Sequence, residues 1–313
     1  MKTFTEYQKT FATNTGNASI TASSTNVYDN TTWGIKMICD SIRYLATKFY
    51  LNEVPYIVPG GTITNTNNYA LPSDFEQMVN VTIQVGNILY QPKESPSKKH
   101  FDLLNIIPFY NDYSQYWFIF NNKLYLYPIP ASSSNVITIN YKKRIVDIAM
   151  DDVTEVTSST TVSATNGNAT ITAAGGTPFA KWMAINGWIR IPFSATDAQS
   201  GDNQWYKIDS VQSATSLTLK NQYTGVNVTG AKFTIGDVPI LPEDYQDLPL
   251  YRACRIYFTT RVPDPNKAKE FAALYNEGYA ELNAKYGAKD SSPVLEDTEA
   301  TVYNPNLFPR NLG

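Results

Sequence analysis

Residues 116–127 read YWFIFNNKLYLY, and this stretch sets the first element of the fold. The aromatic and aliphatic residues before and after Asn121-Asn122 are typical of two strands. Asparagine tolerates the positive φ that a tight hairpin turn requires. Pro128 and Pro130 end the second strand, because proline has no N–H to donate to a β-ladder. The stretch therefore predicts a β-hairpin.

Strand character extends on both sides of this hairpin, over residues 56–146. Short runs rich in branched residues predict further strands at Thr62–Thr64, Val79–Val85 and Val136–Tyr141. The chain between the first and the second helical region is therefore predicted to be largely extended.

A second strand-rich region covers residues 154–236. Asn166-Gly167 separates two alternating runs there, and Asn-Gly in such a setting is the strongest short hairpin signal. Further runs of strand character follow at short intervals, which predicts a separate small barrel or sandwich.

Helical periodicity precedes these β regions. Thr3 and Glu6 have the spacing of a capping box, which predicts a short helix from Thr3 to about Thr13. A second helix is predicted from about Thr31 to Tyr50, because its apolar residues recur every three or four positions. These residues are Ile35, Ile38, Ile42, Leu45 and Phe49.

The pattern becomes helical again near the C-terminus. Apolar residues recur at helical spacing over Leu250–Phe258. Asp264-Pro265 predicts the start of another helix, with aspartate as the N-cap and proline at the first helical position. This helix is expected to end near Tyr286, with Gly287 as a left-handed C-terminal cap. The two helices form a predicted helical hairpin.

Composition limits the classes of function. Charged residues make up 17% of the 313 residues, against roughly 25% in ordinary soluble domains. Such a profile suits strands, hydrogen-bonded loops and a surface covered by neighbouring subunits. The net charge of −3 argues against tight binding of nucleic acid through its phosphates. No apolar run has the length of a secretory signal or a membrane span, so no membrane partner is expected.

Residues that could support catalysis are sparse. His100, the only histidine, lies in a Pro/Ser-rich loop and is interpreted as a surface residue. Cys39 and Cys254 fall in predicted helices and are interpreted as reduced, buried thiols. A disulfide between them is the alternative, and it would require the two helices to pack side by side at the right height. Asp151-Asp152 and Glu243-Asp244 are interpreted as helix caps rather than a catalytic pair. The sequence therefore predicts no catalytic residue, no cofactor and no metal site.

Four tryptophans leave two interpretations open. Trp117, Trp182, Trp188 and Trp205 are suited to stacking on sugars, and three of them lie within residues 154–236. The alternative interpretation is packing in the core of a small barrel.

Five segments resemble a known family through their order along the chain. They are the helix Trp33–Tyr50, the stretch YALPSDF at 69–75, the hairpin Tyr116–Pro130, the strand Ile137–Tyr141 followed by Lys142-Lys143-Arg144, and ILPEDY at 240–245. In this order they resemble the head–tail connector, or adaptor, proteins of tailed phages with short tails. The resemblance covers most of residues 3–150 and 237–288, and residues 154–236 look like an inserted β module.

The resemblance implies an α+β fold. A helical hairpin or bundle would form from the N- and C-terminal segments, together with a β-hairpin region and an inserted all-β module, barrel or sandwich. The implied domains are residues 1–150 for the N-terminal helices and β region, 154–236 for the insert and 237–288 for the C-terminal helical hairpin. Residues 289–313 would form an extended C-terminal arm.

The same resemblance implies a structural virion protein rather than an enzyme. Such a protein forms a ring, usually of twelve copies, beneath the portal and contacts a downstream tail or neck protein, while double-stranded DNA passes through its lumen without tight binding. It belongs to the neck of the virion and to the host cytoplasm during assembly. The implied portal-docking residues are Tyr303, Leu307, Phe308, Arg310 and Leu312. A phage tail or surface protein that binds carbohydrate through the β insert is the alternative.

Overall fold

The computed structural model describes residues 1–16, 30–149, 152–155, 160–193 and 200–287. Within these residues there are five α-helices. They are α1 (Phe4–Asn14), α2 (Asn30–Lys48), α3 (Lys98–Leu104), α4 (Leu248–Thr260) and α5 (Pro265–Tyr286). The predicted N-terminal, second and two C-terminal helices are confirmed, and α3 is an additional short helix.

Eight strands follow α2 and form two four-stranded sheets. They are β1 (Glu53–Ile57), β2 (Asn68–Ala70), β3 (Phe75–Val85), β4 (Ile88–Tyr90), β5 (Lys93–Glu94), β6 (Tyr116–Phe120), β7 (Lys123–Tyr127) and β8 (Val136–Lys143). One sheet has the order β1-β8-β3-β4 and the other β2-β7-β6-β5. The only parallel pair among the described strands is β5 with β6. The predicted strand at Thr62–Thr64 is absent from these sheets.

Eight more strands form a third, antiparallel sheet. They are β9 (Val153–Glu155), β10 (Thr161–Ala164), β11 (Thr170–Gly175), β12 (Gly187–Arg190), β13 (Trp205–Ser213), β14 (Ser216–Leu219), β15 (Val228–Ala231) and β16 (Phe233–Asp237). Their order is β15-β10-β11-β14-β13-β12-β16-β9.

The predicted fold class was wrong. The expectation was a helical hairpin or bundle with a β-hairpin region and an inserted all-β module. The described residues are α+β but mostly β, with sixteen strands in three sheets. Several strands are only two or three residues long, so no alternation marks them in the sequence. Other strands are defined by pairing with residues far along the chain, as when Tyr56 of β1 pairs with Ile139 of β8.

Three buried clusters hold these elements together. The helical core joins α1, α2, α4 and α5, and the apolar stripe of α2 lies within it. The β-region core fills the space between the two four-stranded sheets, with Val81, Ile137 and Leu126 fully enclosed. The module core belongs to the eight-stranded sheet. Burial of these side chains is the main stabilising contribution to each part.

Both predicted hairpins are found. The hairpin β6–β7 is confirmed, and Asn121 and Asn122 have φ of 49° and 56°. Strands β10 and β11 do pair, but Ala164 and Ile171 are the last partners before the connection. Asn166-Gly167 forms the expected tight turn between the two strands, because the Asn168 N–H donates to the Thr165 oxygen at 3.0 Å and Gly167 has φ of 78°. The ladder ends a few residues before this turn, and the Asn166 side chain donates to the backbone oxygens of residues 224 and 225 at 2.9 Å each.

Helix α1 fastens the N-terminus to two parts of the fold. Thr3 is its N-cap and forms the predicted capping box with Glu6. The Tyr7 ring is fully buried in the helical core, and its hydroxyl donates to the backbone oxygen of Gln246. At the other side, the Thr3 hydroxyl donates to Asp152 at 2.8 Å, next to the start of β9. Helix α1 thus ties the helical core to the base of the third sheet.

The ends of α5 differ in how well they follow the prediction. The Asp264 side chain accepts hydrogen bonds from the N–H groups of Asn266 and Lys267 at 3.1 Å, as an N-cap should. Gly287 has φ of −59°, so the expected left-handed cap is wrong. Its N–H donates to the Asn283 oxygen at 2.8 Å, which is the ordinary helical hydrogen bond to the residue four positions earlier.

The two cysteines are free and buried, as predicted. Cys39 and Cys254 both lie in the helical core. Burial raises the pKa of each thiol to about 12. Both therefore behave as small apolar residues rather than nucleophiles.

Replacing Gly34 with alanine is expected to destabilise the protein by about 1–3 kcal/mol, because the packing of α1 against α2 leaves no room for a methyl group. A Cβ at Gly34 would lie 2.3 Å from the Phe11 ring. Gly278→Ala is the matched control, since its Cβ would lie 2.7 Å from the methyl end of the Leu248 side chain, which can change rotamer more easily than an aromatic ring. Urea unfolding measures both, and equal effects would contradict the close packing of these helices.

Excision of residues 154–236 is expected to leave the helical core folded. Val153 on β9 pairs with Ile235 on β16, two residues before Asp237, so a short glycine linker can join the cut ends Val153 and Asp237. No described member of the helical core lies in the excised range. Far-ultraviolet circular dichroism should keep the helical signal per molecule, and a collapse of that signal would contradict the independence of this part.

Candidate interaction surfaces

An exposed apolar segment begins at the C-terminal end of α3 and continues beyond it. We name residues 103–113 the 103–113 lobe. Its sequence, LLNIIPFYNDY, places large apolar side chains outside the core. Ile106 and Ile107 are 69% and 76% exposed. Leu103, Phe109 and Tyr110 are also exposed. Concentrated apolar exposure of this kind marks protein–protein contact sites on folded proteins.

The backbone of the lobe is fixed although its side chains face outward. The Ile129 N–H donates to the Phe109 oxygen at 2.8 Å, and the Asn111 N–H donates back to the Ile129 oxygen at 2.9 Å. The Tyr90 hydroxyl donates to the Asp112 oxygen at 2.5 Å. The lobe is therefore held against the β sheets before any partner binds, which lowers the entropic cost of association.

Helix α3 positions the first residue of the lobe. The Ser97 side chain caps α3 by accepting from the His100 N–H at 3.1 Å. Phe101 is buried and stacks on Phe118 with ring centroids 5.8 Å apart. A groove of about 400 Å³ runs between α3 and the β6–β7 hairpin, and its lining includes Phe120 and Tyr125. The lobe and the groove share one side of the β region.

The β3–β4 hairpin adds two more exposed apolar residues near the lobe. Ile88 and Leu89 follow the turn at Gly86 and are more than half exposed. The next residue, Tyr90, contacts the ring of Tyr113 with centroids 5.3 Å apart. The hairpin tip is thus tied to the end of the lobe.

A large cleft of about 1070 Å³ opens where the helical core, the β region and the third sheet meet. Lys143 from β8, Lys207 from β13 and Lys220 after β14 line it, and we name it the lysine cleft. The Lys220 N–H donates to the Lys207 oxygen at 2.9 Å, which places these two residues side by side. Asp74 and Asp209 also line the cleft.

Burial and neighbouring positive charge lower the pKa of two of these lysines. Burial, followed by the charge of Lys143, lowers the pKa of Lys207 to about 8. Burial lowers the pKa of Lys143, Asp74 opposes this shift, and the Lys220 charge adds to it. The Lys207 ammonium donates to the Ile185 oxygen at 3.2 Å. Among the described residues, none of the three lysines forms an ion pair with a carboxylate.

The residues predicted for portal docking lie outside the described part of the chain. These residues are Tyr303, Leu307, Phe308, Arg310 and Leu312, all after Gly287. Sequence reasoning did not find the 103–113 lobe, although its run of apolar residues was a usable signal. It also missed the lysine cleft, for which no local signal exists because its three lysines are far apart in the sequence.

His100 is placed differently from the prediction. It lies in α3 rather than in a loop, and it is half-buried. Its Nδ1 is 2.9 Å from the Ser95 hydroxyl, and its ring contacts Tyr116 edge to face. These contacts fix the ring on the β region.

The prediction that the adjacent carboxylates cap helices is wrong for Asp152, Glu243 and Asp244. Asp152 accepts from Thr3, which is itself the cap of α1, and Asp151 lies outside the described residues. Asp244 lies 3.6 Å from Lys285. In the described ranges, no group of three His, Cys, Asp or Glu side chains is arranged to hold a metal ion.

The tryptophans of the third sheet do not fill its core. Trp188 pairs with Lys207, and Arg190 pairs with Trp205, on the outer face of β12 and β13. The Arg190 guanidinium lies 4.8 Å from the Trp205 ring centroid and covers that face. Trp182 is exposed, whereas Trp117 is buried in the β-region core. The core-packing interpretation is therefore right for Trp117 and wrong for the other three.

Comparison with known proteins identifies a family. A family model described as SU10 adaptor protein matches residues 3–166. No curated protein matches the chain. The matched range contains α1, α2, both four-stranded sheets and the 103–113 lobe. The described helices include none with the length and apolarity that a membrane crossing requires.

Replacing Ile106 and Ile107 together with serine is expected to change the free energy of unfolding by less than about 0.5 kcal/mol, because both side chains are exposed. Ile137→Ala, in the β-region core, is the contrasting variant and should cost about 2–5 kcal/mol. Urea unfolding compares the two. A loss above about 2 kcal/mol for the serine variant would show that the lobe packs inward.

Proposed function

Because the chain belongs to the SU10 adaptor protein family, we propose that it is the head–tail adaptor of a tailed-phage virion. In this role it forms a ring, of about twelve copies by family resemblance, beneath the portal and connects the portal to the tail. Double-stranded DNA passes through the lumen of the ring. The protein acts as a structural component and not as an enzyme.

The 103–113 lobe is the observation that carries this proposal. An adaptor needs surfaces that bind other proteins and are ordered before binding. The lobe combines exposed Ile106, Ile107 and Phe109 with a backbone fixed by hydrogen bonds. Large apolar anchors on a preorganised frame are what tight protein interfaces use. We assign the lobe to the contact with the downstream tail or neck protein.

The C-terminal arm, residues 289–313, supplies the contact with the portal in this proposal. The arm contains Leu307, Phe308 and Leu312 close together in sequence. Short segments that gain order on a partner can cover a wide surface with few residues. Tyr303 and Arg310 would add ring and guanidinium contacts, which interfaces commonly use.

The net charge of the chain agrees with passage of DNA. A net charge of −3 gives no general attraction to phosphates, so a lumen built from this subunit would let DNA slide. The side chains on the outer face of β12 and β13 give little support to the alternative that the inserted module binds carbohydrate. Arg190 covers the face of Trp205 that a sugar would need.

Two variants should block assembly at different steps. Leu307→Ser with Phe308→Ser is expected to prevent binding to portal-containing heads. Ile107→Ser with Phe109→Ser is expected to allow that binding but prevent attachment of tails. Each loss should exceed tenfold in an in vitro complementation assay, because central apolar anchors contribute about 2 kcal/mol or more each. Electron microscopy of the arrested particles locates the subunit.

Val226→Ser is the matched control, since Val226 is 66% exposed but lies far along the sequence in the inserted region. It should assemble normally. A ring of wild-type subunits between portal and tail supports the proposal. Subunits at the tail tip, or normal assembly by both test variants, would refute it.

A further inference from the structure

The chain leaves α5 at the rim of the lysine cleft. Lys285, in the last turn of α5, lies 3.6 Å from Asp244, and Tyr286 contacts the Tyr245 ring with centroids 6.2 Å apart. Glu243, one residue before Asp244, lines the cleft. The C-terminal end of α5 therefore lies close to the opening of the cleft.

The cleft offers positive charge together with an apolar wall. Its three lysines lack carboxylate ion-pair partners among the described residues, and Asp74 is engaged by the Tyr141 hydroxyl at 2.8 Å. Trp188 and Ile185 line the same space. Such a surface suits a peptide that carries both carboxylates and aliphatic side chains. A bare phosphate chain would leave the apolar wall uncovered.

The segment after Gly287 contains a peptide of this kind. Residues 293–299 read PVLEDTE, with Glu296, Asp297 and Glu299 next to two aliphatic residues. Eight residues lie between Gly287 and Glu296, and the nine steps of chain allow a reach of up to about 30 Å. That reach is enough to cross a cleft of about 1070 Å³.

We propose that the acidic run Glu296–Glu299 binds in the lysine cleft of its own chain and anchors the base of the C-terminal arm. The carboxylates would lie against Lys143, Lys207 and Lys220, and the preceding aliphatic residues against the apolar wall. Nearby carboxylates favour the charged form of each lysine, which offsets the mutual repulsion of the three ammonium groups. The inference goes beyond the adaptor role, because it needs no portal and no tail.

Zero-length carbodiimide crosslinking of the full-length chain tests the proposal. The reagent joins a carboxylate to an amine only when the two are in contact, so tryptic peptides identify the pairs by mass spectrometry. Amide links from residues 296–299 to Lys207 or Lys220 are expected at several times the yield of links to Lys123. Lys123 is an exposed lysine in the β6–β7 hairpin and serves as the control amine.

Two charge variants make the test specific. Glu296→Gln with Asp297→Asn and Glu299→Gln should abolish the links. In that background Lys207→Met should raise the melting temperature more than it does in the wild-type chain, because the ammonium then has no carboxylate partner. Lys123→Met should give the same small change in both backgrounds.

An equal mixture of light and heavy-isotope chains distinguishes the source of the segment. Links within one isotope form support the proposal. Links of mixed isotope would replace it with exchange of arms between copies. Links to Lys123 at the same yield as to the cleft, or none to the cleft, would overturn it. None of these results bears on head or tail binding, so failure here leaves the adaptor proposal standing.

Discussion

The burial of α1 is the constraint on which the rest of the structure depends. Tyr7 is enclosed completely, so its hydroxyl needs a partner, and it finds one in the Gln246 backbone oxygen just before α4. Phe11 lies so close to α2 that only glycine fits at position 34. Thr3 binds Asp152 at the base of the third sheet. One short helix therefore fixes how the N-terminal, central and C-terminal parts of the chain meet.

The positions of the three cores explain where interaction surfaces arise. The β-region core is closed between two four-stranded sheets, so the connections around it are free to carry outward-facing side chains. The 103–113 lobe uses this freedom, because Tyr90 and Ile129 hold its backbone while Ile106 and Ile107 stay exposed. Because this surface is already ordered, binding a partner costs little conformational entropy, which suits a protein that joins other proteins.

The lysine cleft shows how a mildly acidic chain can still concentrate positive charge. Lys143 comes from the β region, whereas Lys207 and Lys220 come from the third sheet, and they meet only where these parts adjoin α2 and the segment before α4. Shared burial and mutual repulsion lower the pKa of Lys207 and Lys143. A ligand that binds these lysines would therefore contact the β region and the third sheet at the same time.

The sequence alone determined the features that depend on near neighbours. The capping box of Thr3 and Glu6, the apolar stripe of α2, the Asp264 cap and the Asn121-Asn122 turn are local, and each is found where predicted. The order of motifs was enough to indicate the family. Only the tertiary structure decided the balance of helix and strand, because short strands such as β1 are defined by partners far along the chain. It also decided which apolar and basic residues face outward together, since exposure and proximity arise from packing between elements that no local pattern records.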